Sequence, residues 1–152
     1  MKKRLLLTGL AFALGAGITQ TAVSQVKPEI LVKQRQAKMT LQGKYVGPLA
    51  AMAQGKIPYD AQVVARNAAF LEALSNMAWD GFDASTKDVK SAALPEVWTN
   101  AAKFKEAQER LEHDAAALVA AAKGGNEANV KAAIGAVGKD CGGCHQTFRE
   151  KQ

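Results

Sequence analysis

Apolar residues recur along this chain at three- and four-residue steps, in stretches rich in alanine and poor in β-branched clusters. That period predicts helices and no strand. The most regular stripe is the last: Val130, Ile134, Val137, Cys141, Cys144 and Phe148 are separated by steps of 4, 3, 4, 3 and 4 residues. Such steps hold all six on one helical face, so both cysteines point into a core. Asn126 caps this helix, and Gly124-Gly125 stops the one before it. That earlier helix opens at Pro95 and carries Val97, Ala101, Phe104, Leu111, Ala115 and Leu118 inward.

The first helix starts at Pro28 and Glu29, residues suited to a first turn, and ends near Gly55. Its stripe is Leu31, Arg35, Met39, Val46, Leu49 and Ala53, with Gln42 polar within it and Pro48 expected to bend it. After Ile57-Pro58-Tyr59, Asp60 caps a second helix predicted to run to about Ala78. Val63, Phe70, Leu74 and Met77 are its expected inner face, with Asn67 among them. Trp79 to Leu94 has no stable period and reads as a long loop, its start tucked against the core by Trp79 and Phe82. Four amphipathic helices with two short connections and one longer one predict an all-α, antiparallel four-helix bundle, a fold that holds cofactors between facing helices.

The 152 residues suit one domain once the start is set aside. Lys2, Lys3 and Arg4 precede a largely apolar run from Leu5 to Ile18, and Ala22-Val23-Ser24 offers small residues at a cleavage site. Residues 1–24 therefore read as a signal peptide cut before Gln25, leaving 25–152 as the domain and the periplasm as its expected place. The apolar run falls short of the ~20 residues of a membrane span, and no later stretch is suitable. Loss of the signal lowers the formal charge from +6 to +3. The basicity is thus partly an export signal; nucleic-acid binding gains little support, and acidic partners are mildly favoured.

Both cysteines of the chain fall in Cys141-Gly142-Gly143-Cys144-His145. Cys-x-x-Cys-His is the attachment signature of a c-type haem: each thiol adds to a vinyl group, and the histidine places a ring nitrogen on the iron. One haem c with its iron is the cofactor this implies. The two glycines cost helix propensity, about 1 kcal/mol each relative to alanine, which a tight approach to the macrocycle would explain. A redox dithiol fits poorly, because such pairs stand at helix starts in α/β folds and this one lies deep in a helix. A structural zinc needs four ligands. The other histidine, His113, sits among charged residues on the outer face of its helix and reads as solvated. A disulfide here would close too small a loop to constrain the chain.

Beyond His145 the chain has neither methionine nor histidine, so a distal ligand must come from upstream. Of Met39, Met52 and Met77, Met39 is best placed, mid-helix on the inner stripe; the competing reading is a core gap-filler. Arg35, one turn earlier on that face, needs a partner if buried, and a haem propionate is a natural one; the competing reading is a snorkelling surface arginine. Arg149 lies one turn beyond His145 on the last helix. No paired carboxylates or nucleophile constellation supports enzymatic turnover.

These residues resemble the cytochrome c′ family, the class II c-type cytochromes. The resemblance runs through Lys27-Pro28-Glu29 with Arg35-Gln36, Gly55 to Pro58-Tyr59-Asp60, Trp79-x-x-Phe82, Pro95-Glu96-Val97-Trp98, and Val137-Gly138 to Cys141-x-x-Cys144-His145-x-x-Phe148-Arg149. It implies a bundle with covalent haem near one end, often a homodimer. It also implies Arg35 and Gln36 near a propionate, Arg149 beside the proximal histidine and Met39 in the distal position. The loop Ser91-Ala92-Ala93-Leu94 departs from the family pattern, so no haem contact is carried over there. Cytochromes c′ keep a five-coordinate iron that binds nitric oxide and carbon monoxide; low-spin relatives ligate the iron by methionine and carry electrons. The expectation is therefore a periplasmic one-electron carrier and gas binder. The alternative is a low-spin carrier with Met39 as sixth ligand, and a haem-free helical binding protein is the reading from another class. A periplasmic redox partner and a homodimer, with Val32, Tyr45 and Ala68 as candidate interface positions, complete the expectation.

Overall fold

A computed structural model describes residues 26–151. The signal peptide expected at 1–24 and its cleavage point lie outside the described residues. The helices are α1 (Pro28–Ala53), α2 (Ala61–Ser75), α3 (Glu96–Thr99), α4 (Ala101–Gly124) and α5 (Glu127–Phe148), with 3-10 turns at Trp79–Phe82 and Ala84–Thr86. Helices α1, α2, α4 and α5 form a four-helix bundle. No strand occurs among the described residues, and no helix there is long and apolar enough to cross a membrane.

The ends follow their local chemistry. Pro28 opens α1, and the helix runs through Pro48 to a left-handed Gly55. The Asp60 carboxylate accepts from the Gln62 and Val63 amides at the start of α2. Gly125 ends α4 at φ 70°, and the Asn126 side chain accepts from the Asn129 amide to start α5. One core cluster joins the helices through Leu49, Met52, Val64, Leu71, Leu118, Val130, Ile134 and Val137.

Four expectations need correction. The inner face of α2 is Val64, Asn67, Ala68, Leu71 and Ser75. Phe70 is 44% exposed and Met77 51%; Phe70 instead lies on Tyr45, ring centroids 4.7 Å apart. Helix α2 also stops at Ser75 rather than near Ala78, because the Trp79 indole donates to the Ser75 carbonyl (2.6 Å) and takes up an acceptor the next turn would have used. The helix expected from Pro95 breaks at Asn100, whose φ of −124° and ψ of 49° are not helical, and Ala101 is exposed. Trp98 anchors the short α3 by donating to the Phe82 carbonyl at 2.9 Å. Finally, Val32 and Ala68 are buried within the chain and cannot serve an interface face.

Candidate functional site

The polar members of α1 are what set this bundle apart. Its buried positions are Val32, Arg35, Lys38, Gln42, Leu49 and Met52, so one stretch of the inner stripe is charged or polar. Against that stretch lies the Trp79–Phe82 turn. A Cβ at Gly81 would stand 2.7 Å from the Arg35 Cβ and 2.8 Å from the Leu31 carbonyl oxygen, so only glycine permits this approach. Arg35 is no surface arginine. It is 3% exposed and donates to the Gly81 carbonyl, to Thr86 Oγ1 (3.4 Å) and to Ser91 Oγ (2.6 Å). Its guanidinium carbon stands 4.5 Å from the Phe82 ring centroid, and burial lowers its pKa. Gly81, Thr86 and Ser91 were not foreseen as site residues; they lie 46–56 positions away from Arg35, with no local periodicity to reveal them.

Between α1, this turn, α4 and α5 opens a cavity of about 440 Å³. Met39, Arg35 and Gln36 line it from α1, and Cys141, Cys144 and His145 from α5. Met52 belongs to the core and Met77 is exposed, so among the described methionines Met39 alone reaches the cavity. Arg149 also lines it but lies one residue past the end of α5, in extended backbone, not on the helix as expected. There the chain pairs with the segment before α3: Leu94 donates to the Phe148 carbonyl (3.0 Å) and Glu150 to the Ala92 carbonyl (2.9 Å). That clamp brings Ser91, Ala92 and Ala93 to the cavity wall. Phe104 meets Phe82 at 4.8 Å and Phe148 at 5.1 Å between ring centroids, an aromatic floor beside Cys144.

Both cysteines are unpaired. Burial pushes both thiols up, helped by the charge of Asp140 at Cys141 and by Cys141 at Cys144, so both carry their protons at neutral pH. Burial, then the Arg149 guanidinium, push the His145 imidazole down, which leaves a ring lone pair free at neutral pH. Lys38 is buried without a hydrogen-bond acceptor among the described residues, its ammonium 3.4 Å from the Trp79 ring centroid. Burial lowers its pKa to about 8, while Cys144, Glu112 and Cys141 act the other way. Gly142 and Gly143 are exposed, and no protein atom lies within 4 Å of a Cβ built at either.

His113 is exposed beside Asp114 (2.9 Å), as expected of a solvated residue. Burial, then the charge of Asp114, raise the pKa of Asp140, but neither carboxylate lines the cavity. No group of three or more metal-ligating His, Cys, Asp or Glu occurs among the described residues.

The donor set fits a haem c. Two free thiols and a neutral imidazole share one wall, a thioether stands on another, and a buried cation lacking an anionic partner lies behind Trp79. Known proteins agree. Residues 30–149 match the cytochrome c′ family model. The chain is 42% identical over 126 residues to cytochrome c′ from Rubrivivax gelatinosus, covering 82% of this chain and 98% of that protein. A nitric oxide complex of a mutant cytochrome c prime from Alcaligenes xylosoxidans matches with TM-score 0.77 at 36% identity, covering 84% of this chain and 99% of that one. A carbon monoxide-bound variant of the same protein matches with TM-score 0.76 at 36% identity, covering 83% and 98%. From cavity, donor set and these matches together, the chain belongs to the cytochrome c′ family, whose cofactor is covalently attached haem c.

Proposed function

We propose that this chain is a periplasmic haem c protein that carries one electron and binds the neutral gases nitric oxide and carbon monoxide at a five-coordinate iron. The observation that carries the reading is the convergence of Cys141, Cys144, His145 and Met39 on one cavity. Complexes of similar proteins with both gases support it. When bound, haem c would supply one-electron chemistry and a site for a diatomic gas. Cys141 and Cys144 would hold the group through thioethers, and His145, kept neutral by burial, would ligate its iron. Gln36 and Arg35 stand at the propionate edge. Arg35 is already fixed by Gly81, Thr86 and Ser91, so it presents a stationary charge. Arg149 stands on the proximal side. Met39, on the wall opposite the cysteines, would cover the iron without bonding it. Its side chain would have to move for a gas to enter, which would slow and weaken carbon monoxide binding, and it offers no donor to hold dioxygen.

A cavity built this way suits electron transfer and gas uptake. The exposed Ile30 and Leu41 of α1 and Phe70 of α2 are the apolar surface for a homodimer, in place of the buried Val32 and Ala68. A periplasmic redox partner completes the reading.

The second reading is a low-spin carrier ligated by Met39, and it is kept because Met39 is the described methionine on the cavity wall. Absorption spectra of the ferric holoprotein and its Met39→Ala variant separate the two. A high-spin spectrum unchanged by the substitution supports the first; a low-spin spectrum that becomes high-spin establishes the second. Failure of the reduced protein to take up carbon monoxide would overturn the first reading.

A further inference from the structure

Helix α1 turns Arg35, Lys38 and Gln42 inward in succession, all buried. Two of them have protein partners: Arg35 spans three acceptors, and Gln42 Nε2 donates to Ser75 Oγ at 3.4 Å. Lys38 has none among the described residues, although it is only 4% exposed. What its Nζ meets is the face of the Trp79 ring, 3.4 Å from the centroid. Trp79 lines the cofactor cavity, and so does Met39, the next residue along. The field of the ammonium reaches both thiols, Cys141 and Cys144.

An aromatic face offsets part of the cost of burying a cation. The remainder calls for an opposite charge; Glu112 acts on Lys38 but forms no ion pair with it among the described residues. If the cavity holds haem c as proposed above, on which this inference rests, the cofactor supplies that charge. With two propionates it is net negative when ferric, and more negative by one unit when ferrous. We propose that Lys38 is a built-in counter-cation for the reduced cofactor, biasing the iron toward the ferrous state and setting the reduction potential of this protein. Adding the electron makes and breaks no bond. The electron comes from a soluble one-electron donor, and the fixed ammonium lowers the cost of the added negative charge. At an effective dielectric of about 20, a unit charge ~10 Å from a redox centre biases a one-electron equilibrium by roughly tenfold.

The test is a spectroelectrochemical titration, at neutral pH and with chemical mediators, of the holoprotein and its Lys38→Met and Lys38→Arg variants. Lys38→Met keeps the length and removes the charge. Its ferrous-to-ferric ratio at fixed potential is expected to fall about tenfold, a midpoint lower by about 59 mV. Lys38→Arg keeps the charge and should stay within threefold of the parent. A fall of less than threefold in Lys38→Met, or an equal fall in Lys38→Arg, overturns the assignment. Should Lys38→Met yield no holoprotein, Lys38→Gln is read by the same thresholds. A pyridine haemochrome assay on the denatured chain keeps two failures apart. Absence of covalent haem refutes the functional reading and this inference with it; covalent haem with an unmoved potential refutes the role of Lys38 alone.

Discussion

Replacing Gly81 by alanine perturbs the contact on which the cavity wall depends. The added Cβ would lie 2.7 Å from the Arg35 Cβ and 2.8 Å from the Leu31 carbonyl oxygen. Both atoms are fixed in α1, so the Trp79–Phe82 turn must retreat. Overpacking of this kind costs about 1–3 kcal/mol. The retreat also draws the Gly81 carbonyl away from the Arg35 guanidinium, and a hydrogen bond to a charged group contributes about 1.5–3 kcal/mol. The two costs overlap, since relieving one produces the other, and a net loss of about 3 kcal/mol is expected. In a domain of this size that lowers Tm by about 10 °C. The same substitution at Gly135 serves as the control. Gly135 is exposed within α5 with nothing within 4 Å of a built Cβ, so alanine there should stabilise by about 0.5–1 kcal/mol. Thermal and urea denaturation of the holoprotein, followed by circular dichroism, measures both. A Gly81→Ala variant within about 0.5 kcal/mol of the parent would refute the claim that this close approach holds the turn.

Ala78 adopts φ 54°, a left-handed conformation that costs a residue bearing Cβ about 1–2 kcal/mol; Ala78→Gly should therefore raise stability by about 1 kcal/mol in urea titrations, and a loss would contradict the strain. Asp140 has its pKa raised, first by burial and then by Asp114, against the opposing charges of Arg110 and His113. The folded state then holds that proton more tightly than the unfolded chain, so this group's contribution to stability falls as pH rises above the ordinary value of 3.8. Asp140→Asn should gain about 0.5–1 kcal/mol at pH 7, a figure reduced for the partial exposure of the pair, and nothing at pH 3; an equal gain at both pH values would rule out the electrostatic cause. Met39→Gly should speed carbon monoxide association with the ferrous protein in flash photolysis, and an unchanged rate would contradict a steric role for the thioether.

What the sequence discloses here depends on how local each cause is. The stripe of α5 is legible because its six positions are apolar or thiol and regularly spaced, and all six face inward as expected. The phase of α2 is not, because Ser75 is buried while Phe70 and Met77 are exposed, the reverse of what hydrophobicity alone ranks. Ser75 is tolerable inside because its hydroxyl donates to the Leu71 carbonyl (2.8 Å), and hydropathy carries no trace of such a partner. The wall formed by Gly81, Thr86 and Ser91 was hidden for a related reason: its order comes from one guanidinium reaching across the fold. Lys38 reads in sequence as an ordinary surface lysine and is seen as buried only once Trp79 is brought against it. Arg149 lines the cavity from extended backbone rather than from the helix the sequence suggests, since the pairing of Ala92 and Leu94 with the chain end draws it out of α5.

Covalent attachment of one haem to Cys141 and Cys144 underlies every functional step proposed for the cavity. Intact-mass spectrometry of the denatured protein, produced in a host that matures c-type cytochromes, tests it directly when followed by fragmentation of the peptide spanning 141–145. A mass increase of one haem per chain is expected, retained through acid-acetone extraction, located on both cysteines and lost in the Cys141→Ser, Cys144→Ser double variant. A chain at its unmodified mass, with its colour removed by the extraction, would contradict it.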